Sequence, residues 1–129
     1  MHRCLLILLG LIVVADGAWA QAKRPLTAAG MQALLAKGLT VTSTDPEGGR
    51  KFTGQVNLLA GGRLTGTLNI AGHGAAALNG TWKLNGARLC RTLGQVQPEE
   101  VCETWLRAGN AKEVTVQVDG KDASVNRWQ

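Results

Sequence analysis

The sequence predicts a mainly β domain: an antiparallel meander of about eight strands forming a small barrel or half-barrel, preceded by one short α-helix. Three observations predict it. Apolar and polar residues alternate in one segment after another from Leu39 onward. Glycine-rich turn chemistry separates those segments at near-regular spacing. Helical periodicity is confined to one stretch before Gly38.

That stretch reads as a helix for local reasons. Thr27 can cap it, Met31, Leu34 and Leu35 recur at helical spacing, and Gly38 can stop it. Gly30 inside it lowers its intrinsic propensity. Residues 21–26 read as a disordered lead, so a single β-rich domain is expected over 27–129.

The strands follow in order. Leu39, Val41 and Ser43 open the first, and Asp45-Pro46-Glu47-Gly48-Gly49 turns the chain. Phe52 to Leu58 and Leu64 to Ile70 each alternate, joined by Ala60-Gly61-Gly62. Ala71-Gly72-His73-Gly74 leads into Leu78 to Leu84, and Asn85-Gly86 is a two-residue hairpin signal. Leu89 to Leu93 and Val101 to Leu106 are joined by a loop containing Pro98. Val114 to Val118 and the short strand Ala123 to Asn126 flank Asp119-Gly120. One face wet and one buried is what an antiparallel sheet allows. Short connections favour pairing of sequence neighbours. A two-sheet sandwich is the alternative architecture. Gly54, Gly66 and Gly80 share the apolar parity of their strands. They read either as points of tight curvature or as room left for a ligand, curvature being favoured.

The first twenty residues read as an export signal. Arg3 precedes an apolar run from Cys4 to Val14, and Ala18-Trp19-Ala20 supplies the small residues a signal peptidase accepts. The run is shorter than the ~20 residues a spanning helix needs. A signal peptide over 1–20 and a periplasmic or secreted protein are therefore expected, with no transmembrane anchor. Cys4 would leave with the signal, so Cys90 and Cys102 would pair as a disulfide in an oxidising compartment. The formal charge is +5, and loss of Arg3 and Asp16 leaves it there. Outside the cytoplasm this points away from nucleic acid, and toward solubility or an anionic partner surface.

If Cys90 and Cys102 stand opposite each other, Leu89 faces Glu103 and Arg91 faces Val101. Arg91 and Glu103 then become diagonal neighbours on one face. The apolar count places that face inside, with Leu89, Leu93, Val101 and Trp105. The alternative turns the disulfide inward and the charges out. On the inward reading Arg91, Glu103, Trp82 and Trp105 are the candidate ligand-binding residues.

Gly80-Thr81-Trp82, Asn85-Gly86, Leu89-Cys90 and Cys102 together resemble small secreted β-rich domains of proteobacteria with the form Gly-x-Trp, Asn/Asp-Gly, Leu-Cys, Cys. The opening from Leu26 to Gly38 is similar. The likeness implies a fold and carries no catalytic residues. Small barrel-shaped inhibitors of secreted enzymes share the size and the single disulfide, a likeness of architecture alone.

Catalytic chemistry finds little footing. After residue 20 the one histidine is His73, between two glycines, and the serines are Ser43 and Ser124, neither in a nucleophile elbow. Of the candidate carboxylates Asp45, Glu47, Glu99, Glu100, Glu103, Asp119 and Asp122, most fall in turns, and Glu103 alone among them lies within a strand core. No cofactor, metal site or catalytic residue is expected. The expected class is an exported, monomeric, non-enzymatic binding or interaction module of the cell envelope. Its partner would be an envelope protein or an anionic surface component. A small-molecule carrier with a barrel cavity and a small secreted hydrolase are the alternatives.

Overall fold

The computed structural model describes residues 21–129. The export signal expected over 1–20 lies outside the described residues. The elements are β1 (Lys23–Pro25), α1 (Ala28–Leu35), β2 (Leu39–Thr44), β3 (Phe52–Leu58), β4 (Arg63–Ile70), β5 (Gly74–Asn85), β6 (Arg88–Arg91), β7 (Val101–Ala108), β8 (Glu113–Val118) and β9 (Lys121–Arg127). Strands β2 to β9 pair antiparallel with their sequence neighbours, and β9 returns to pair with β2. The result is a closed, eight-stranded up-and-down barrel.

The lead differs from its sequence reading. Lys23–Pro25 pairs with Leu106–Ala108 of β7, beside the half of that strand that the short β6 leaves unpaired. Lys23 Nζ donates to Thr115 Oγ1 at 2.8 Å, and Leu26 N–H donates to the Trp105 carbonyl at 2.9 Å. Three residues without periodicity carry no strand signal. Pro25, which lacks a donor, suits a peripheral strand.

Thr27 caps α1 by accepting from Gly30 N–H at 3.0 Å. The helix is shorter than its apolar spacing predicts, eight residues, and buries Met31 and Leu35. After the helix ends at Leu35 the chain turns away at Gly38, whose N–H donates to the Leu35 carbonyl and whose φ of +80° suits only glycine without strain. A Cβ there would lie 2.9 Å from the Leu58 carbonyl, so the helix exit is pressed against the end of β3. The helix thereby closes the barrel end where β2 begins and β3 finishes. The opposite end carries the β2–β3, β4–β5, β6–β7 and β8–β9 connections.

Turn chemistry sets the register locally. Asp119 and Gly120 both have positive φ between the paired Val118 and Lys121, as a type I′ hairpin requires. The β5–β6 hairpin is shifted by one residue from the Asn85-Gly86 reading. Asn85 pairs with Arg88, and Gly86 takes the first loop position, followed by Ala87. In the β2–β3 connection the buried Asp45 accepts from the N–H groups of Glu47, Lys51 and Phe52 at 3.0–3.2 Å. Desolvation pushes its carboxyl up, but these backbone donors outweigh it and hold it below the usual range.

The inner glycines are points of curvature. β5 pairs with β4 up to Thr81 and with β6 from Trp82, so Gly80 lies where the strand changes partners. A Cβ on Gly80 would fall 2.1 Å from the Thr92 carbonyl, and one on Gly66 2.0 Å from that of Gln55. Neighbouring backbone, not open space, fills these positions. Gly80→Ala should therefore cost about 1–3 kcal/mol, as overpacking does, read as a lowered urea midpoint. An unchanged midpoint would show that the corner is soft.

Cys90 and Cys102 face each other across β6 and β7 and are joined, with Cα atoms 3.9 Å apart. The Lys83–Glu100 ion pair, 3.4 Å, lies over the same outer face. Replacing both cysteines by alanine should cost about 2–4 kcal/mol while leaving the strand signature in circular dichroism intact.

Candidate functional site

The register expected from an opposed cysteine pair holds: Leu89 faces Glu103 and Arg91 faces Val101. The inward face of β6 and β7 brings Leu89, Arg91, Glu103 and Trp105 to a cavity of about 300 Å³ inside the barrel. Its floor, toward the helix end, is Val41, Leu58, Leu64, Leu78, Leu89 and Trp105, all buried to 3% exposure or less. Toward the other end it is bounded by Phe52, Leu68, Leu93, Val96 and Ala123. Val96, in the β6–β7 loop, is 36% exposed, so the cavity reaches the surface beneath that loop.

Polar groups enter from two walls. On the first, Arg91 Nε donates to Glu103 Oε2 at 3.2 Å, and Trp105 Nε1 donates to Glu103 Oε1 at 2.8 Å. Arg91 Nη1 also donates to Gln97 Oε1 in the β6–β7 loop. Both Glu103 oxygens are thus engaged. Burial pushes the Glu103 carboxyl up, and the Arg91 charge with the hydrogen bonds from Trp105 and Arg91 only partly opposes this, so it stays above the usual range.

The second wall is the β2–β9 seam. Ser43 and Asn126 are directly paired across it, and Ser124 lies two residues before Asn126. All three line the cavity. β6 lies opposite β2 in the ring of eight strands, so the two polar walls face each other. A register shift between Val116 and Gln117 shapes this wall. Ser124 pairs with Val116 and Asp122 with Gln117, which leaves Ala123 as the extra residue. Such a bulge re-aims side chains, and here Ala123 and Ser124 both reach the cavity. Asn126 is 6% exposed, and its Oδ1 has no hydrogen-bond partner among the described residues.

Of the candidate binding residues, Arg91, Glu103 and Trp105 meet in this cavity, whereas Trp82 does not line it. The Trp82 indole N–H donates to the Leu59 carbonyl at 2.9 Å, tying β5 to the β3–β4 turn. Ser43, Ser124 and Asn126 are absent from the sequence-derived set. Their signal was weak: Ser43 shares the parity of Leu39 and Val41, but in β9 the apolar residue Val125 invites the wrong face. His73 stands exposed in the β4–β5 turn, outside the cavity. The one cluster of metal-ligand type among the described residues is Cys90, Glu100 and Cys102, and its thiols are spent in the disulfide.

No protein-family model, curated protein or solved structure matches this chain. No helix among the described residues is long and apolar enough to cross a membrane.

Glu103 gives the site a pH signature. A carboxyl with a raised folded pKa binds more protons in the folded than in the unfolded state between the two pKa values. Stability therefore falls as pH rises through the window above the ordinary carboxylate range. Asp45, held low, acts below that range with the opposite sign. Urea unfolding of the wild type should show the decline on the alkaline side, and Glu103→Gln should abolish it there. Parallel curves for the two proteins would contradict the assignment.

Proposed function

We propose that this chain is a small-ligand-binding barrel that acts after export, as a carrier or receptor in the cell envelope. The observation that carries the reading is the cavity: about 300 Å³, apolar at its floor, polar on two facing walls and open at one end. Binding sites for small molecules have this make-up, an apolar lining with a few placed polar groups, and begin at about this volume. An eight-stranded barrel has an interior wide enough either to be filled by side chains or to hold one small ligand. Here α1 fills the closed end and the other end stays hollow. The Arg91–Glu103–Gln97 chain supports the same reading. A buried ion pair adds little net stability, so its placement at the cavity mouth, tethering the loop above, favours a binding role over a structural one.

Native mass spectrometry on protein exported under its own signal tests this directly. A processed chain carrying extra mass that leaves on denaturation is the expected result. For protein recovered empty, an apolar bicyclic probe such as 2-methoxynaphthalene should bind with a dissociation constant of roughly 10–100 μM. Ala123→Trp, which fills the mouth, should abolish that binding. No cargo together with no probe binding would sink the reading.

A further inference from the structure

We infer that the barrel's occupant is an uncharged molecule with a compact apolar body and one hydrogen-bond-donating group, a hydroxyl or N–H, seated against Asn126. The inference rests on the binding-barrel reading and adds the chemical class of the ligand. It begins at the seam. Asn126 Oδ1 is buried without a partner among the described residues, on a side chain that lines the cavity. A carbonyl oxygen removed from water and left unpaired is unfavourable, and buried groups of this kind are paired in the great majority of proteins. A donor entering the cavity supplies the missing bond. Ser43, paired with Asn126 in the ladder, and Ser124 add two hydroxyls to the same cavity lining, each able to donate or accept.

Charge balance sets the second property. Arg91 and Glu103 are the charged residues among those lining the cavity, and they are bonded to each other. An anion entering would meet a cation already neutralised and a carboxylate beside it. A cation would meet the reverse. Either would surrender its hydration without gaining a free counter-charge. Size sets the third property. An apolar cavity of about 150 Å³ accommodates benzene, so about twice that volume suits two fused rings or an equivalent aliphatic body. The apolar floor takes that body, and the seam takes its polar end.

Three probes with the same bicyclic body test the inference by equilibrium dialysis on the disulfide-bonded protein: 2-naphthol, which donates, 2-methoxynaphthalene, which cannot, and 2-naphthoate, which is anionic. The wild type should bind 2-naphthol about tenfold more tightly than the methyl ether, the discrimination expected for one hydrogen bond to a buried acceptor. Asn126→Leu should erase that preference while keeping methyl-ether binding, and should raise the melting temperature by removing an unpaired buried amide. Asn126→Val serves the same purpose if the leucine variant does not fold. Equal binding of the two neutral probes by the wild type, or a preference that survives in the Asn126 variants, would overturn the inference and leave the binding-barrel reading standing. Tightest binding of 2-naphthoate would overturn the uncharged class and assign the ligand to Arg91. Failure of all three probes to bind would overturn both readings together.

Discussion

The pairing of β9 with β2 is the contact on which the rest of this molecule depends. It consists of three residue pairs, Thr42 with Arg127, Ser43 with Asn126 and Thr44 with Val125. Without it the meander would be an open, curled sheet with β2 and β9 as unpaired edges, open to association with other chains. With it the apolar face of every strand turns toward a common interior. Eight strands set a width that side chains can nearly fill. The bulky floor residues and α1 fill it at one end. At the other, small and polar residues such as Ser43, Ala123 and Ser124 leave it hollow. The cavity is thus a consequence of closure combined with a plug at only one end.

The seam that closes the barrel also carries part of the site. Ser43 and Asn126 are partners in the ladder and neighbours in the cavity wall. A β-bulge just before them, at Ala123, adds local twist and brings an additional residue to the rim. Strand pairing and site geometry therefore cannot vary independently here. A slip of one residue in β9 would turn Ser124 and Asn126 outward and Val125 inward. That would give a drier core and remove one polar wall.

The β6–β7 hairpin works in the same two-sided way. Its outer face carries the Cys90–Cys102 link beneath the Lys83–Glu100 pair. Its inner face carries the Arg91–Glu103–Trp105 network. One register, fixed by the covalent link, aligns both. The network extends into the loop above the cavity, where Arg91 holds the Gln97 side chain and Leu93 N–H donates to the Gln97 carbonyl. The loop is thereby tied to the wall it covers. A group that enters or leaves the cavity beneath Val96 passes this tether.

What the sequence determined by itself was local. Alternation placed eight strands, Asp119-Gly120 and the Asn85-Gly86 neighbourhood placed tight hairpins, and Thr27 with Gly38 bracketed the helix. The cysteine pair brought Arg91 and Glu103 together, because residues on adjacent strands joined by a covalent link obey a simple register rule. Strand periodicity and turn chemistry act over a few residues, and a single chain displays them directly. What only the tertiary structure decided was non-local. β1 pairs with β7 because β6 is short, a vacancy no three-residue motif announces. Trp82 shares the inward parity of its strand but spends its indole N–H on the Leu59 carbonyl near the closed end. The second polar wall depends on the first and last barrel strands meeting in one register, with a bulge that reverses the face Val125 would otherwise suggest. No turn joins β2 to β9, so nothing local encodes that register. It follows from ring closure, which only the assembled barrel imposes.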